Sequence, residues 1–421
     1  MLASPAHLAT WGVAASAIVG VIVRPWQLPE ALWAVLAAFV LVIFSLIPAS
    51  DAVHALLKGT DVYLFLIGMM SLAELARHHG LFDWLAAVAV QRSRGSPRRL
   101  FGLVYGVGTL VTIFLSNDAT AVVLTPAVYA ATKRAKAKPM PYLFICALIA
   151  NAASFVLPIS NPANLVVYGT HMPSLARWLA DFGLSSLVAI IVTFGVLRFT
   201  QRSALEGQIS REIQLPPLTR GGRLAAGGIA GTAMLLLLAS SLEWPLGLPT
   251  FVAGMATAAV ISLIDRVSPW AIAKEISWSV LPLVAGLFVL VEAVERTGVL
   301  EPLNTFLPTH AATAPNETAL LTGGLVAMLC NLVNNLPLGL IAGTVASGAH
   351  LSPQVTGTLL IGVDLGPNLS VTGSLATILW LVALRREGQE VSAWKFLGLG
   401  CLVMPPALIA SLATFIWLKI P

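Results

Sequence analysis

The chain has 421 residues, of which 57% are hydrophobic and only 10% charged, whereas a soluble domain carries about 25% charged residues. That composition excludes a soluble globular protein and puts most of the chain in a bilayer. The net charge of +5 bears on membrane sidedness and not on nucleic acid, and Cys146, Cys330 and Cys401, scattered in apolar segments, exclude a disulfide framework and a CxxC metal site.

In chain order, at least ten apolar stretches approach the ~17–20 residues that cross about 30 Å of hydrocarbon. Residues 8–23, within an extra N-terminal span over 1–30, read as a span and not a signal peptide, because no small-residue cleavage site follows. Spans at 31–48 and 61–76 come next, and 81–90 reads as an interfacial arm helix. The following arm, 100–114, has 15 residues, about 22 Å as a helix, which is too short to cross. It ends at Ser116, Asn117 and Asp118, its return arm 119–132 is shorter still, and both flanks are basic ("SPRR", "KRAKAK"). The economical reading is a re-entrant hairpin over 98–133 that enters from the cytoplasm, with Asp118 capping the returning arm. A broken helix over 142–170 follows, interrupted by "PISNP", where Pro158 and Pro162 each remove a backbone donor.

A span at 182–199, a cytoplasmic central loop over 201–222 and a connecting span over 223–245 lead to the second half, 249–421. Its spans at 250–264 and 280–294 precede a second hairpin, 317–349, which turns at Asn334-Asn335 between flanks almost free of Lys and Arg and so enters from the periplasm. A second broken helix, 353–385, is interrupted by "GPNLSVTG" and carries Asn368 and Thr372; a final span covers 396–418.

The halves repeat. "LIGMMSLAELARHHGLFDWL" matches "VAGLFVLVEAVERTGVLEPL" at an offset of 218, pairing Gly68 with Gly286 and Glu74 with Glu292. At 217, "SND" lands on "VNN"; at 213, "NAASFVLPISNPANL" lands on "DLGPNLSVTGSLATI". Five spans separate matching points, so repeats 31–200 and 249–421 have opposite orientation, a common plan of secondary transporters with the site near the midplane. Facing the 77–99 loop to the cytoplasm puts 20 of the 24 Lys and Arg inside, leaving Lys58, Arg177, Arg296 and Lys419 outside and both termini periplasmic.

Four polar interruptions therefore converge: two hairpin tips and two helix breaks. Their amides and hydroxyls, Ser116, Asn117, Asn334, Asn335, Ser160, Asn161, Asn151, Asn368 and Thr372, are the candidate substrate ligands, since they donate and accept hydrogen bonds. Asp118 and Asp364 are the candidate proton-coupling groups, because intramembrane acids are costly and mark ion pathways. None of the four interruptions contains Lys or Arg. Glu74 and Glu292, near span ends, read as a repeat-symmetric structural pair, the seven His as loop and interface residues, and Cys146 and Cys330 as small buried hydrophobes. No cofactor or metal is called for, and neither HExxH nor GxSxG appears, which argues against an enzyme.

The blocks "FLSNDATAVVLTPAV", "ANAASFVLPISNPANLVVYG", "NNLPLGLIAGT" and "GVDLGPNLSVTGSLATILWL" resemble the arsenite efflux permease family, ArsB. That family belongs to the ion transporter superfamily with the dicarboxylate, citrate and NhaD-type sodium/proton carriers. The resemblance implies export of arsenite and antimonite from a bacterium across its inner membrane against inward proton flow, sometimes alongside the ArsA ATPase. It also implies an elevator-type core of hairpins and broken helices moving against a scaffold. Asn151 stands where some members carry Asp, and the Ser-Asn-Thr signature of the dicarboxylate carriers is incomplete at both tips. The expectation is thus an all-α polytopic membrane protein of about ten transmembrane helices plus two re-entrant hairpins, working as an arsenite/antimonite:proton antiporter. The alternative is a sodium- or proton-coupled carrier of another small solute or anion. Arsenite, antimonite, protons and the lipid bilayer are the expected partners, with an ArsA-type ATPase and a second copy of the chain as candidates.

Overall fold

The computed structural model describes residues 4–169, 172–210, 215, 217–266 and 268–418, and every regular element among them is helical. Arg211 and Lys419, two of the residues used to assign sidedness, lie outside the described residues, as do the end of the 142–170 segment and part of the 201–222 loop.

The first half runs α1 (Pro5–Val23), α2 (Glu30–Ile43), α3 (Ala49–Lys58), α4 (Thr60–His78), α5 (Leu81–Ser93), α6 (Pro97–Phe114), α7 (Asn117–Ala119), α8 (Thr125–Arg134), α9 (Met140–Ala152), α10 (Pro162–Tyr168) and α11 (Leu175–Thr200). The second runs α12 (Arg220–Ser241), α13 (Gly247–Asp265), α14 (Pro269–Ala273), α15 (Val280–Arg296), α16 (Glu301–Thr313), α17 (Pro315–Val333), α18 (Asn335–Gly348), α19 (Pro353–Leu365), α20 (Leu375–Arg386) and α21 (Ala393–Trp417). The chain is an all-helical polytopic membrane protein. Among the described residues six helices (α1, α11, α12, α13, α17 and α21) are long and apolar enough to cross a membrane, and seven when α3 and α4, bent by 46° at Gly59, count as one span. The sequence leads one to expect about ten. The difference has a physical source: α2 has 14 residues and α15 has 17, while α9/α10 and α19/α20 are spans cut by their own prolines and glycines.

α4 lies along α13 and α15 along α2. Both crossings need glycine. A Cβ on Gly68 would fall 2.4 Å from the Thr250 carbonyl oxygen, and one on Gly286 would fall 2.7 Å from the Ala34 carbonyl carbon. Without hydrophobic drive between helices in lipid, such close backbone approach is what binds them. Charged groups hold the ends of α4 and α15. Glu74 pairs with Arg77, which also reaches Glu275, while Glu292 takes Lys58 at 2.7 Å and Arg296 at 3.3 Å. Glu74 and Glu292 are therefore each neutralised in place.

Candidate functional site

The first hairpin enters along α6 and turns where the sequence becomes polar. The hydroxyl of Ser116 accepts the Ala119 N–H at 3.1 Å, and the Asn117 side-chain oxygen accepts the Asp118 N–H at 2.9 Å. The cap expected of Asp118 is thus made by its two neighbours. Asp118 itself is half-buried, and among the described residues its carboxylate has no hydrogen-bond partner. A π turn, Thr120–Leu124, separates the tip from α8. Pro126 cannot donate to the Val122 carbonyl, so the ladder slips there, as it often does at functional sites. The Thr112 and Thr120 hydroxyls, 2.8 Å apart, join the two arms.

The second hairpin turns between α17 and α18 at Asn334, whose φ of 77° and ψ of 150° fall where glycine is nearly alone in being comfortable. Its side chain holds that shape. The oxygen accepts the Leu336 N–H at 3.3 Å, and the amide donates to the Thr372 carbonyl at 3.2 Å. The Asn335 N–H donates to the Gly373 carbonyl at 2.8 Å, while its side chain makes no hydrogen bond among the described residues. The tip is therefore stitched to the second helix break. Asn331, which sequence reasoning passed over, adds to the seam: its amide donates to Ala327 and Gly366 carbonyls, and its oxygen accepts from the Ser370 hydroxyl at 2.7 Å. Thr372 spends its hydroxyl on the Asn331 carbonyl at 2.8 Å.

These contacts separate the two tip residues experimentally. Asn334→Ala strands a cap and a carbonyl, at about 1–3 kcal/mol, and should lower membrane yield and transport together. Asn335→Ala removes no side-chain bond and should lower transport with yield preserved. Quantitative immunoblots beside vesicle flux check this; equal losses of yield would make Asn335 structural too.

The breaks supply the rest. The amide of Asn164, also unmarked in the sequence reading, donates to the carbonyls of Ser154, Leu157 and Pro158 at 2.9, 3.3 and 3.3 Å, satisfying backbone that has no helix. Ser160 donates to the Ile113 carbonyl of α6 at 3.0 Å, tying the first break to the first hairpin. Asn161 caps α10 by accepting the Ala163 N–H, and its amide donates to one Asp364 oxygen at 2.6 Å. Asp364 is fully buried, and its other oxygen has no partner among the described residues. Asn151, also fully buried, donates to the Asn368 oxygen at 3.1 Å and the Thr377 hydroxyl at 3.4 Å; Asn368 donates to the Leu148 carbonyl. The 213 offset relates Asn151 to Asp364 and Asn161 to Ser374, which caps α20. Each half thus sends a polar group from its first broken segment to the capped second segment of the other.

The arrangement sets its electrostatics. Helices α7, α10, α18 and α20 all begin in this core, capped by Ser116, Asn161, Asn334 and Ser374. The π turn of the first hairpin packs on α20, and α18 packs on α10. Helix N-termini present partial positive charge and free N–H groups, and Asp118 and Asp364 supply the acid beside them. Among the described residues no group of His, Cys, Asp and Glu is placed to hold a metal.

The cysteine thiols take no part in the side-chain network, although the Cys330 carbonyl accepts the Asn334 N–H at 2.8 Å. Cys146 and Cys330 are fully buried, their thiols directed at the carbonyls of Tyr142 and of Gly362 and Val363; Cys401 is exposed. A carrier site that empties every cycle gains nothing from tight thiolate ligation, and a buried thiol is a poor ligand. Cys146→Ser, Cys330→Ala and Cys401→Ala combined should keep most of the transport activity. Loss in a well-inserted triple variant, restored by returning one Cys, would place a thiol in the path.

Paired hairpins meeting paired broken helices define a helical membrane transporter. The sequence profile of the citrate transporter family, CitMHS, matches residues 18–362, and the chain belongs to that family. An uncharacterised transporter of Mycobacterium tuberculosis strain H37Rv is 26% identical over 374 residues, covering 85% of this chain and 86% of the relative. The arsenical pump membrane protein of Escherichia coli K12 is 26% identical over 364 residues, 82% of this chain and 84% of the relative. The fold is shared with the YdaH transporter of Alcanivorax borkumensis, at a TM-score of 0.58 and 17% identity over 87% of each chain. It is also shared with the efflux pump MtrF of Neisseria gonorrhoeae, at 0.55 and 14% over 87% of this chain and 83% of that one. Family and relatives are transporters, not enzymes.

Proposed function

We infer that the chain exports arsenite and antimonite across the bacterial inner membrane in exchange for entering protons. The carrying observation is a core of buried amides and hydroxyls with two carboxylates and no Lys or Arg in the tips or breaks. Arsenite at neutral pH is a small uncharged trihydroxide. It needs donors and acceptors together and no cationic clamp, which Asn side chains and helix N-termini provide. The likeness to arsenical pump proteins over 82% of the chain points the same way. In this reading Ser116, Asn117, Asn151, Ser160, Asn161, Asn334, Asn335, Asn368 and Thr372 form or frame the substrate site, and Asp118 and Asp364 carry protons. The repeats 31–200 and 249–421 are inverted, their hairpins and broken helices make an elevator core, and both termini are periplasmic. An ArsA-type ATPase and a homodimer belong to the same reading.

One second reading has its own support: four helix N-termini and a family named for citrate would suit a coupled carrier of a small carboxylate. Two acids in the core oppose it. The deciding experiment is uptake into everted vesicles under an imposed pH gradient, arsenite against citrate. Gradient-driven arsenite uptake is expected; citrate uptake alone would replace the first reading with the second. Asp118→Asn, which keeps shape and disturbs no cap, should make arsenite flux insensitive to the gradient with insertion unchanged. Full gradient-driven export by that variant would free Asp118 from the proton path.

A further inference from the structure

At the end of the molecule where the basic loops gather, a cavity of about 300 Å³ opens between the start of α6, the end of α11 and the short turn Arg202–Leu205 that follows it. Arg98, Arg198 and Arg202 line it with Gly195, Phe199 and Leu205, and no acidic residue does. At roughly 30 Å³ per water, the space holds a phosphodiester headgroup.

The arginines are not simply trailing into water. The Arg202 guanidinium lies 4.5 Å from the centre of the Phe199 ring and that of Arg198 5.7 Å from Phe194. Cation–π contact of this kind holds a guanidinium against apolar surface with its N–H fork still open. The floor is firm: Phe194 packs on Phe101 and Tyr105, and the Tyr105 hydroxyl donates to the Ile190 carbonyl at 2.7 Å. Among the described residues, none of the three arginines forms an ion pair.

Below the cavity, α11 presents Leu187, Ile191 and Phe199 at 51%, 57% and 63% exposure, on a single face at four- and eight-residue spacing. The fourth position of that row is Gly195, beside which a Cβ would meet nothing within 4 Å. The row leaves an open notch in an outward apolar face directly under the arginines. Headgroup charge above and acyl surface below are the two halves of one kind of ligand.

We propose that this cleft binds the headgroup of an anionic phospholipid, its phosphodiester held by Arg98, Arg198 and Arg202 and one acyl chain lying along the α11 face past Gly195. Guanidinium forks match phosphate oxygens in pairs, and basic pockets between spanning helices near the cytoplasmic surface are suited to lipid headgroups. A second cleft, of 410 Å³, on the other side of the same turn carries Lys138 and Lys395 and has no such fork.

Native mass spectrometry of the full chain with phosphatidylglycerol, phosphatidylcholine or inorganic phosphate tests this. The wild type should retain phosphatidylglycerol over phosphatidylcholine by roughly tenfold or more, and R98Q/R198Q/R202Q should lose that preference. Removing three charges elsewhere, by K274Q/R385Q/R386Q, should leave it intact. An unchanged preference in the arginine variant, an equal loss in the control, or displacement of the lipid by millimolar inorganic phosphate would overturn the proposal. Hydrogen exchange on the wild type in nanodiscs needs no variant: phosphatidylglycerol should protect 97–102 and 195–205 relative to phosphatidylcholine, and no difference there would refute it.

Discussion

On the proposed arsenite:proton exchange, Asp364→Asn is expected to lower gradient-driven uptake into everted vesicles by roughly tenfold or more, a difference of about 1.4 kcal/mol or greater in the coupled step, with the protein still in the membrane. Asp364 is the fully buried acid of the core, and one of its oxygens is occupied by Asn161 at 2.6 Å. The other has no partner among the described residues. A buried carboxylate left half-satisfied is expensive, so the site favours whatever supplies the missing donor. In the proposed exchange a proton does so in one step of the cycle and a hydroxyl of the solute does so in another. The asparagine amide keeps the volume and still offers an oxygen to Asn161, but it cannot release a proton. Exchange of labelled arsenite at equal pH on both sides should therefore persist while the gradient loses its hold. Undiminished gradient-driven uptake by Asp364→Asn would move coupling to Asp118, and undiminished uptake by both single variants would end the antiport reading.

Asn161→Ala should be the most destabilising single change in the core. It removes the N-cap of α10, worth about 1 kcal/mol. It also strips Asp364 of its hydrogen-bond donor, and leaving a buried carboxyl group unsatisfied costs roughly 1–3 kcal/mol or more. The two losses share an atom group, so they do not simply add. The diagnostic is a double-mutant cycle: in the Asp364→Asn background the buried acid is gone, and Asn161→Ala should cost only the lost cap and a neutral amide hydrogen bond. Thermal unfolding of the four purified forms measures it, with an expected coupling of about 1 kcal/mol or more. Additive shifts would show that Asn161 and Asp364 do not stabilise one another.

Much of this was readable from the chain. Apolar length with few charges required membrane helices, and a polar tip between two apolar arms required a turn inside the protein, because unpaired backbone is not tolerated in hydrocarbon. The arms themselves, α6 at 18 residues and α17 at 19, are longer than the sequence reading made them. Pro158, Pro162, Pro367 and Gly366 required broken helices, since proline cannot donate and glycine permits the bend. Those signals are local, carried by residues within a few positions of one another, and that is why they survive in a sequence.

Which polar residue does what was decided only by the fold. Asp118 looks like a cap from its position, yet Ser116 and Asn117 take the free N–H groups and leave the acid unengaged. Asn164 and Asn331 carry no motif; they hold the seams because folding brings bare carbonyls of the breaks against them. The partnerships Asn161–Asp364 and Asn151–Asn368 span 203 and 217 positions. Hydropathy is indifferent to them, because either amide could have served any nearby carbonyl. A hydrogen bond is directional and acts over about 3 Å, so its partner is fixed by how the two halves pack. Composition and periodicity determine that polar groups must meet at the centre of this protein, and the packing of one half against the other selects the pairs.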